Sequence, residues 1–373
     1  MDREILELRE GIDKIDEELV ALFERRMQIT KEIGDYKREH NLSIYDAGRE
    51  QTVVDTAVSR VAGNLRSEVT LLMRSLMALA REYQRDLLLG ANEEYLPPAS
   101  EPKRAGIKTI FQGVPGAWSE QAARKLFPSA LFEHAEFFED VFTAVKQGNA
   151  DYGVVAIENS QSGAIGETYD LLRKYGCYVV GRTWIDIKHC LLAKPGTKIT
   201  DIREVYSHPE GFRQCHRFLM DKAWDTVAMS NTAVAAERVR SAESNRVAAI
   251  GSRLAAELNG LEVIAEDIMD SENNRTSFVV IAARPEYTEK SNLISITFAL
   301  AHRPGSLCEA LLPFVSNGLN LTRIESRPQG PERYRFFAEL TGNILDPEVI
   351  DTLRHVAGVT EYMEVIGCYQ TIA

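Results

Sequence analysis

From Arg3 to about Glu39, apolar residues recur at alternating spacings of three and four: Ile5, Leu8, Ile12, Ile15, Leu19, Leu22, Ile29, Ile33 and Tyr36. The pattern predicts one unbroken helix, about 50 Å long at 1.5 Å per residue. A helix of that length cannot be buried by the rest of residues 1–90, so it needs another long helix or a second subunit. A shorter helix is expected from Asp46 to about Ala62. A third is expected from Leu65 to about Leu89, with Leu65, Val69, Leu72, Leu76, Leu79 and Tyr83 on one stripe. Residues 1–90 thus read as an all-α domain, and the polar, proline-containing residues 91–105 as a linker. Across residues 106–285 the pattern changes to apolar runs alternating with helical stretches: KTIFQG, ALFEHAEFF, YGVVAIE, YVVGRTWIDIKHCLLA, REVYSH, DTVAMS, RVAAIG, LEVIAED and TSFVVIAA. That alternation predicts parallel sheets with helix cover, in two α/β lobes around a cleft, the layout of periplasmic-binding-protein-like folds. Residues 292–373 read as β-α-β-β-α-β: LISITFAL, a helix after Pro304–Gly305, NLTRIESRP, YRFFAEL, a helix from Pro347, and TEYMEVIG. This is the α+β ferredoxin-like order, with Gly318 placed to end the first helix.

Composition narrows the function classes. Lys and Arg number 43 against 55 Asp and Glu, a formal charge of −12, so nucleic acid is not an expected partner. Anions must then be bound where Arg, Lys or helix N-termini gather locally. Cys177, Cys190, Cys215, Cys308 and Cys368 are scattered and lack any CxxC or His-paired spacing, which argues against a disulfide framework and structural zinc. No metal or other cofactor is expected. The charged MDREILELRE start and the lack of a long apolar run predict a cytoplasmic protein that does not cross a membrane.

Arg26 falls where the seam of the first helix asks for Ile or Leu. A buried guanidinium requires a partner of opposite charge. Taken alone, it reads first as a register device bridged to Glu50 or Asp46. Lys37, eleven residues on, shares its face, and Arg9 borders the seam, pointing toward a neighbouring helix or subunit. Asp46, Arg49 and Glu50 follow near the second helix start, and Gln84 interrupts the stripe of the third. LREGIDKIDEELVALFERRMQITKEIGDYK followed by YDAGRE resembles the helical chorismate mutase family, a dimer of entwined helices. The resemblance implies a site made of Arg26, Lys37 and Gln84 with Arg9 (from the partner), Asp46, Arg49 and Glu50, acting on chorismate. By resemblance, Lys37 and Gln84 donate to the breaking ether oxygen, while Glu50 and Asp46 hold the ring hydroxyl. A unimolecular rearrangement needs no nucleophile, base or metal, only gripped carboxylates and charge offered to that oxygen. Ala80 stands where the family often has Ser.

In the α/β segment, FQGVPGAWSEQAA, AIENSQSGAIG, YSHPEGFRQC and AMSNTAVAAE each take a strand end into polar residues and a helix. Backbone N–H groups there can receive a ligand carboxylate, although each motif alone reads first as a helix cap. In this order, with AAIGS (248–252) and NRTSF (274–278), they resemble prephenate dehydratase. The resemblance implies that prephenate is bound by Asn159, Ser207 and Gln214, with Glu158 and Ser160 beside them, and that Thr276 donates to the departing hydroxide. The family's Thr-Arg-Phe is here Thr276–Ser277–Phe278, with Arg275 as the available substitute. His208 reads as a structural or solvent-facing histidine.

HRPGSLCEALLPF and NLTRIESRP resemble the ACT regulatory modules attached to prephenate dehydratases. They imply an effector site at Gly305, Ser306 and Leu307 with Glu325, Ser326, Arg327 and Pro328, taking phenylalanine as a feedback inhibitor. The whole reads as a homodimeric or larger two-activity enzyme of phenylalanine biosynthesis, making prephenate and then phenylpyruvate. Two other readings compete: a solute-binding module for the α/β segment, and a dimerisation coil without catalysis for the helices.

Overall fold

The computed structural model describes residues 3–88, 95–330 and 333–372. The expected end of the third helix at Leu89 and linker residues 91–94 lie outside the described residues. Described residues within 1–94, 300–318 and 351–362 form one compact unit, and those within 95–299, 319–350 and 363–373 form a second.

The first unit is helical. It contains α1 (Arg3–Glu39), α2 (Ala47–Ser59) and α3 (Arg66–Leu88). The second helix ends at Ser59, short of the expected Ala62, and a 3-10 turn, Gly63–Leu65, follows it. The apolar seam of α1 is left bare: Leu8 is 63% exposed, Ile12 57%, Ile15 54% and Leu22 57%. Only near its C-terminal half does α1 pack on α3, where Thr30 and Gln84 are both buried.

In the second unit, β1 (Lys108–Gln112), α4 (Trp118–Leu126), β2 (Leu131–Ala135), α5 (Phe138–Lys146), β3 (Tyr152–Asn159), β4 (Gly163–Ala164), α6 (Gly166–Tyr175) and β5 (Tyr178–Asp186) build the first lobe. The chain then crosses into β6 (Cys190–Ala193), β7 (Glu204–Ser207), α7 (Pro209–Gln214), α8 (His216–Met220), β8 (Asp225–Ala228), α9 (Thr232–Ser241), β9 (Val247–Gly251), α10 (Arg253–Asn259) and β10 (Glu262–Ala265). It returns in β11 (Arg275–Ala282). The second lobe is a sheet of order β10-β6-β9-β7-β8, whose core joins Leu191, Ile202, Val205 and Ile250. Every residue of β9 is buried, as a strand covered on both faces requires. The first-lobe core includes Val141, Phe142, Val155, Leu172 and Ile281.

Two expectations are corrected. The sheets are mixed rather than parallel: β1 runs parallel to β2 and β3, but β11 is antiparallel to both β3 and β5. The reason is the return crossing, which enters the sheet from the cleft end. The run YVVGRTWIDIKHCLLA is not one strand but two, β5 and β6, in different sheets. Between them Ile187 N donates to Asn274 O at 2.8 Å, and His189 O accepts from Ile268 N at 3.1 Å. The two crossings therefore run side by side. Gly116 closes the approach of the lobes: it has φ +95°, and a Cβ there would lie 2.9 Å from Ala255 Cα, a position only glycine fits.

The C-terminal elements follow the expected β-α-β-β-α-β sequence: β12 (Leu293–Ala299), α11 (Ser306–Ser316), β13 (Leu321–Pro328), β14 (Tyr334–Thr341), α12 (Pro347–Val359) and β15 (Tyr362–Tyr369). The strands lie in the order β13-β14-β12-β15, and β15 meets β5, extending the first-lobe sheet. Gly318, at φ +64°, follows α11.

Candidate active sites

Along α1, Arg26 is half-buried and donates to Leu76 O on α3 at 2.9 Å, and burial pushes its pKa down. The alternative partners Glu50 and Asp46 are engaged elsewhere. Asp46 caps α2, accepting from Arg49 N at 2.9 Å, and Glu50 accepts from Arg81. Lys37 donates to Ile44 O at 2.6 Å. Gln84, 6% exposed, donates to Thr30 O at 2.9 Å. Arg9 and Arg49 are exposed. Arg81, absent from the sequence reading, is buried and also pairs with Glu309 at 2.9 Å. Burial pushes the Glu309 carboxyl up, but Arg303 and Arg81 outweigh it and hold it below the ordinary range. The Arg81 and Arg303 guanidiniums each lie 5.5 Å from the Tyr45 ring centre. A cavity of about 280 Å³ opens here, lined by Tyr45, Glu50, Gln51, Arg74, Arg303 and Glu309 among others.

A cavity of about 440 Å³ separates the two lobes of the second unit, and Asn159, Gln214 and Thr276 all line it. Asn159 ends β3, directly opposite Thr276 on β11. ENSQSG is a hairpin rather than a helix N-terminus: β3 pairs with β4, and Asn159 Oδ1 accepts from Gln161 N at 2.9 Å and Ser162 N at 3.1 Å. Asn159 Nδ2 donates to Thr276 Oγ1 at 3.0 Å. Gln214, the last residue of α7, is 4% exposed. Ser207 is fully buried, donates to Ile250 O at 3.3 Å and does not line the cavity. Glu158 points to the other face of the sheet, toward Arg323 at 2.7 Å. The Ser160 hydroxyl donates to Asn273 O at 2.8 Å. His208 caps α7, accepting from Glu210 N at 3.1 Å, and also lines the cavity. Burial pushes its pKa down.

Ser277 is fully buried and accepts from Arg182 Nε at 2.7 Å. Arg275 does not share that place: it pairs with exposed Asp186 at 2.8 Å, its side chain 55% exposed. Arg182 also donates to both Glu339 oxygens at 2.6 Å. Glu339 accepts in addition from Thr322 and Tyr369, each at 2.8 Å. Sequence reasoning passed over Arg182, His189 and Asn274. Asn274 lies inside NRTSF, whereas only their buried partners reveal Arg182 and His189.

Gly305 has φ +87° and stands as the cap position of α11, with Ser306 and Leu307 half-buried behind it. In β13, burial alternates: Arg323, Glu325 and Arg327 are half-buried, while Ile324, Ser326 and Pro328 are exposed. Glu325 and Ser326 thus face opposite sides of the sheet. Arg327 pairs with Asp170 on α6 at 3.0 Å.

Residues 8–85 match the family model of chorismate mutase type II, and residues 109–286 match that of prephenate dehydratase. The bifunctional chorismate mutase/prephenate dehydratase of Escherichia coli (strain K12) is 32% identical, over 98% of this chain and 96% of that protein. The chloroplastic arogenate dehydratase/prephenate dehydratase 1 of Arabidopsis thaliana is 36% identical, over 75% of this chain and 76% of its own. Among solved structures, the prephenate dehydratase of Arthrobacter aurescens in complex with L-Phe superposes with a TM-score of 0.66 at 28% identity, covering 70% of this chain and 89% of that one. With both segments matched in order and the full length shared, the chain belongs to the bifunctional chorismate mutase/prephenate dehydratase family.

Proposed function

We propose that the family's two reactions, chorismate to prephenate and prephenate to phenylpyruvate, are carried by the residues placed above, in two separate sites. For the mutase, Arg26, Lys37 and Gln84 lie along the joint of α1 with α3 and the loop before α2. Arg26 has a carbonyl partner, so a substrate carboxylate would complete its pairing. Lys37 and Gln84 supply donors to the ether oxygen, and Asp46, Arg49 and Glu50 lie at the start of α2 to hold the ring side. The bare apolar seam of α1 supports a homodimer in which the partner's Arg9 completes each site.

The dehydratase reading is carried by one observation: Thr276 Oγ1 accepts from Asn159 at the cavity wall. An amide nitrogen can only donate, so the threonine keeps its own proton for a ligand. In the reaction, the bond from the ring to its carboxylate breaks and its electron pair enters the ring. The C–O bond opposite then breaks, so the prephenate dianion becomes phenylpyruvate, carbon dioxide and hydroxide. Aromaticity drives the step, and Thr276 stabilises the departing hydroxide by hydrogen bonding.

The C-terminal residues 292–373 are read as an ACT module that senses phenylalanine, with Gly305–Leu307 and Glu325–Pro328 as its binding segments. The L-Phe complex of the Arthrobacter aurescens relative supports this. So do two ion pairs from β13, Arg323–Glu158 beside Asn159 and Arg327–Asp170. Because Glu325 and Ser326 face opposite ways, only one side chain of the two lies on any single face of β13. The domain limits proposed are 1–90, 91–105, 106–285 and 292–373, in a cytoplasmic enzyme without cofactor. Among the described residues no helix is long and apolar enough to cross a membrane. Incubating the protein with chorismate tests the reading: prephenate should rise and then give way to phenylpyruvate. Accumulation of prephenate alone would refute the dehydratase assignment.

A further inference from the structure

Behind Thr276, the hydrogen bonds run in one direction, and both ends dictate it. At one end, Asn159 Oδ1 must face the N–H groups of Gln161 and Ser162. Its Nδ2 therefore faces Thr276 Oγ1 at 3.0 Å and Asn274 Oδ1 at 2.9 Å. At the other end, Gln214 Nε2 donates to the Glu210 carboxylate at 3.0 Å. Hydrogen bonding to Arg213, against burial, holds the Glu210 carboxyl below its ordinary range, so it is an acceptor at neutral pH. Gln214 Oε1 is thereby turned to Asn274 Nδ2 at 2.8 Å and His189 Nε2 at 2.9 Å.

The two directions meet at Asn274, which is 1% exposed. It must offer an acceptor to Asn159 and a donor to Gln214. Among side chains of its size only an asparagine does both at neutral pH, where an aspartate only accepts. His189, 2% exposed, faces a carbonyl oxygen and so carries its proton on Nε2. Burial pushes its pKa down, and its Nδ1 has no hydrogen-bond partner among the described residues.

We propose that Asn274 and His189 are positioning residues of the dehydratase, bridging the amides of Asn159 and Gln214 and holding them in place in the orientations their end partners set, so that Thr276 presents its proton to the leaving hydroxyl. This rests on the reading of Thr276 as the donor. Neither residue needs to touch the reacting atoms. A reversed Asn159 amide would put an oxygen against Thr276, which would then spend its proton on Asn159.

The test uses the full chain with supplied prephenate, measuring dehydratase kcat and KM against pH for Asn274→Asp, His189→Gln, His189→Phe and Thr276→Val. Mutase turnover and tryptophan fluorescence check folding. Asn274→Asp keeps the shape but sets a carboxylate oxygen against Gln214 Oε1. It should lower kcat about 10- to 100-fold at neutral pH, the scale of a misplaced reacting group, with a much smaller change in KM. Because burial raises the introduced carboxyl's pKa, kcat should recover relative to wild type as pH falls and the protonated group again donates. The titratable groups lining the same cavity are His189, His208 and Glu210. Around them lie Arg213 on Glu210, the Arg275–Asp186 pair, and Asp270, which accepts from Arg217 N. All are present in the wild type, whose profile is therefore the reference. His189→Gln, which keeps an N–H donor, should retain more kcat than His189→Phe, a comparison that holds even if Asn274→Asp does not fold. Wild-type kcat in Asn274→Asp, or equal losses in the two His189 variants, beside an impaired Thr276→Val, overturns the positioning roles alone. A near-normal Thr276→Val overturns the donor reading and the proposal with it.

Discussion

Arg182 anchors a buried ion pair in the second unit. Its side chain is 8% exposed, as is that of Glu339. It bonds both Glu339 oxygens and Ser277, reaches Glu158 at 3.5 Å, and lies 4.7 Å from the Trp184 ring centre. Arg182→Met keeps the bulk but strands a buried carboxylate, which costs about 3–5 kcal/mol. Glu339 would retain Tyr369 and Thr322 as neutral donors, placing the loss near about 3 kcal/mol. Glu339→Gln should cost less, about 2 kcal/mol, because Arg182 keeps Ser277 and Glu158. With both changes no ion is stranded, so the double variant should fall short of the sum by about 1–3 kcal/mol. Urea unfolding followed by tryptophan fluorescence measures this. All three tryptophans, Trp118, Trp184 and Trp224, lie in the second unit, so the signal isolates it. Losses that add to within about 0.5 kcal/mol would show that the two charges act independently and refute the argument.

Arg26→Ala should abolish mutase turnover and leave dehydratase turnover of supplied prephenate intact. Mixing inactive Arg9→Ala and Lys37→Ala subunits should restore mutase activity, and verified mixed dimers without recovery would count against a shared site. Thr276→Val should lower dehydratase kcat by about 10²–10⁴-fold without affecting the mutase, as initial rates on each substrate will show. Replacing Glu325 and Ser326 by Ala should leave an active enzyme with diminished phenylalanine inhibition, the wild-type coupling being about 1–3 kcal/mol. Calorimetry finding no phenylalanine binding to the wild-type protein would sink that assignment. Glu309 is held below its ordinary pKa by Arg303 and Arg81 against burial. Its stabilisation is therefore present above the unfolded value and lost as pH falls through the folded one. Glu309→Gln should lower the helical melting temperature at neutral pH, and the gap to wild type should close in acid.

The apolar spacing of residues 5–36 was enough to place α1 to within its ends, because a helix is a repeated local choice of dihedrals that side chains three and four apart report directly. The same holds for the order of the C-terminal elements, and the NRTSF and ENSQSG segments marked the cavity strands before any pairing was known. Their arrangement was not legible. Asn159 bonds Asn274 across 115 residues of chain, and Arg182 bonds Glu339 across 157. No local period records such partners, and the hairpin after Asn159 looks like a helix start because capping residues serve both. By position in the sequence Arg275 is the available substitute beside Ser277, yet it is the first residue of β11 and pairs with Asp186 in solvent. Arg182 takes the buried place from the neighbouring strand. The sequence by itself determined the long first helix, the order of the C-terminal elements and the need of seam residues such as Arg26 for polar partners. Only the tertiary structure decided who those partners are, because a buried donor is satisfied by whatever acceptor packing brings within about 3 Å.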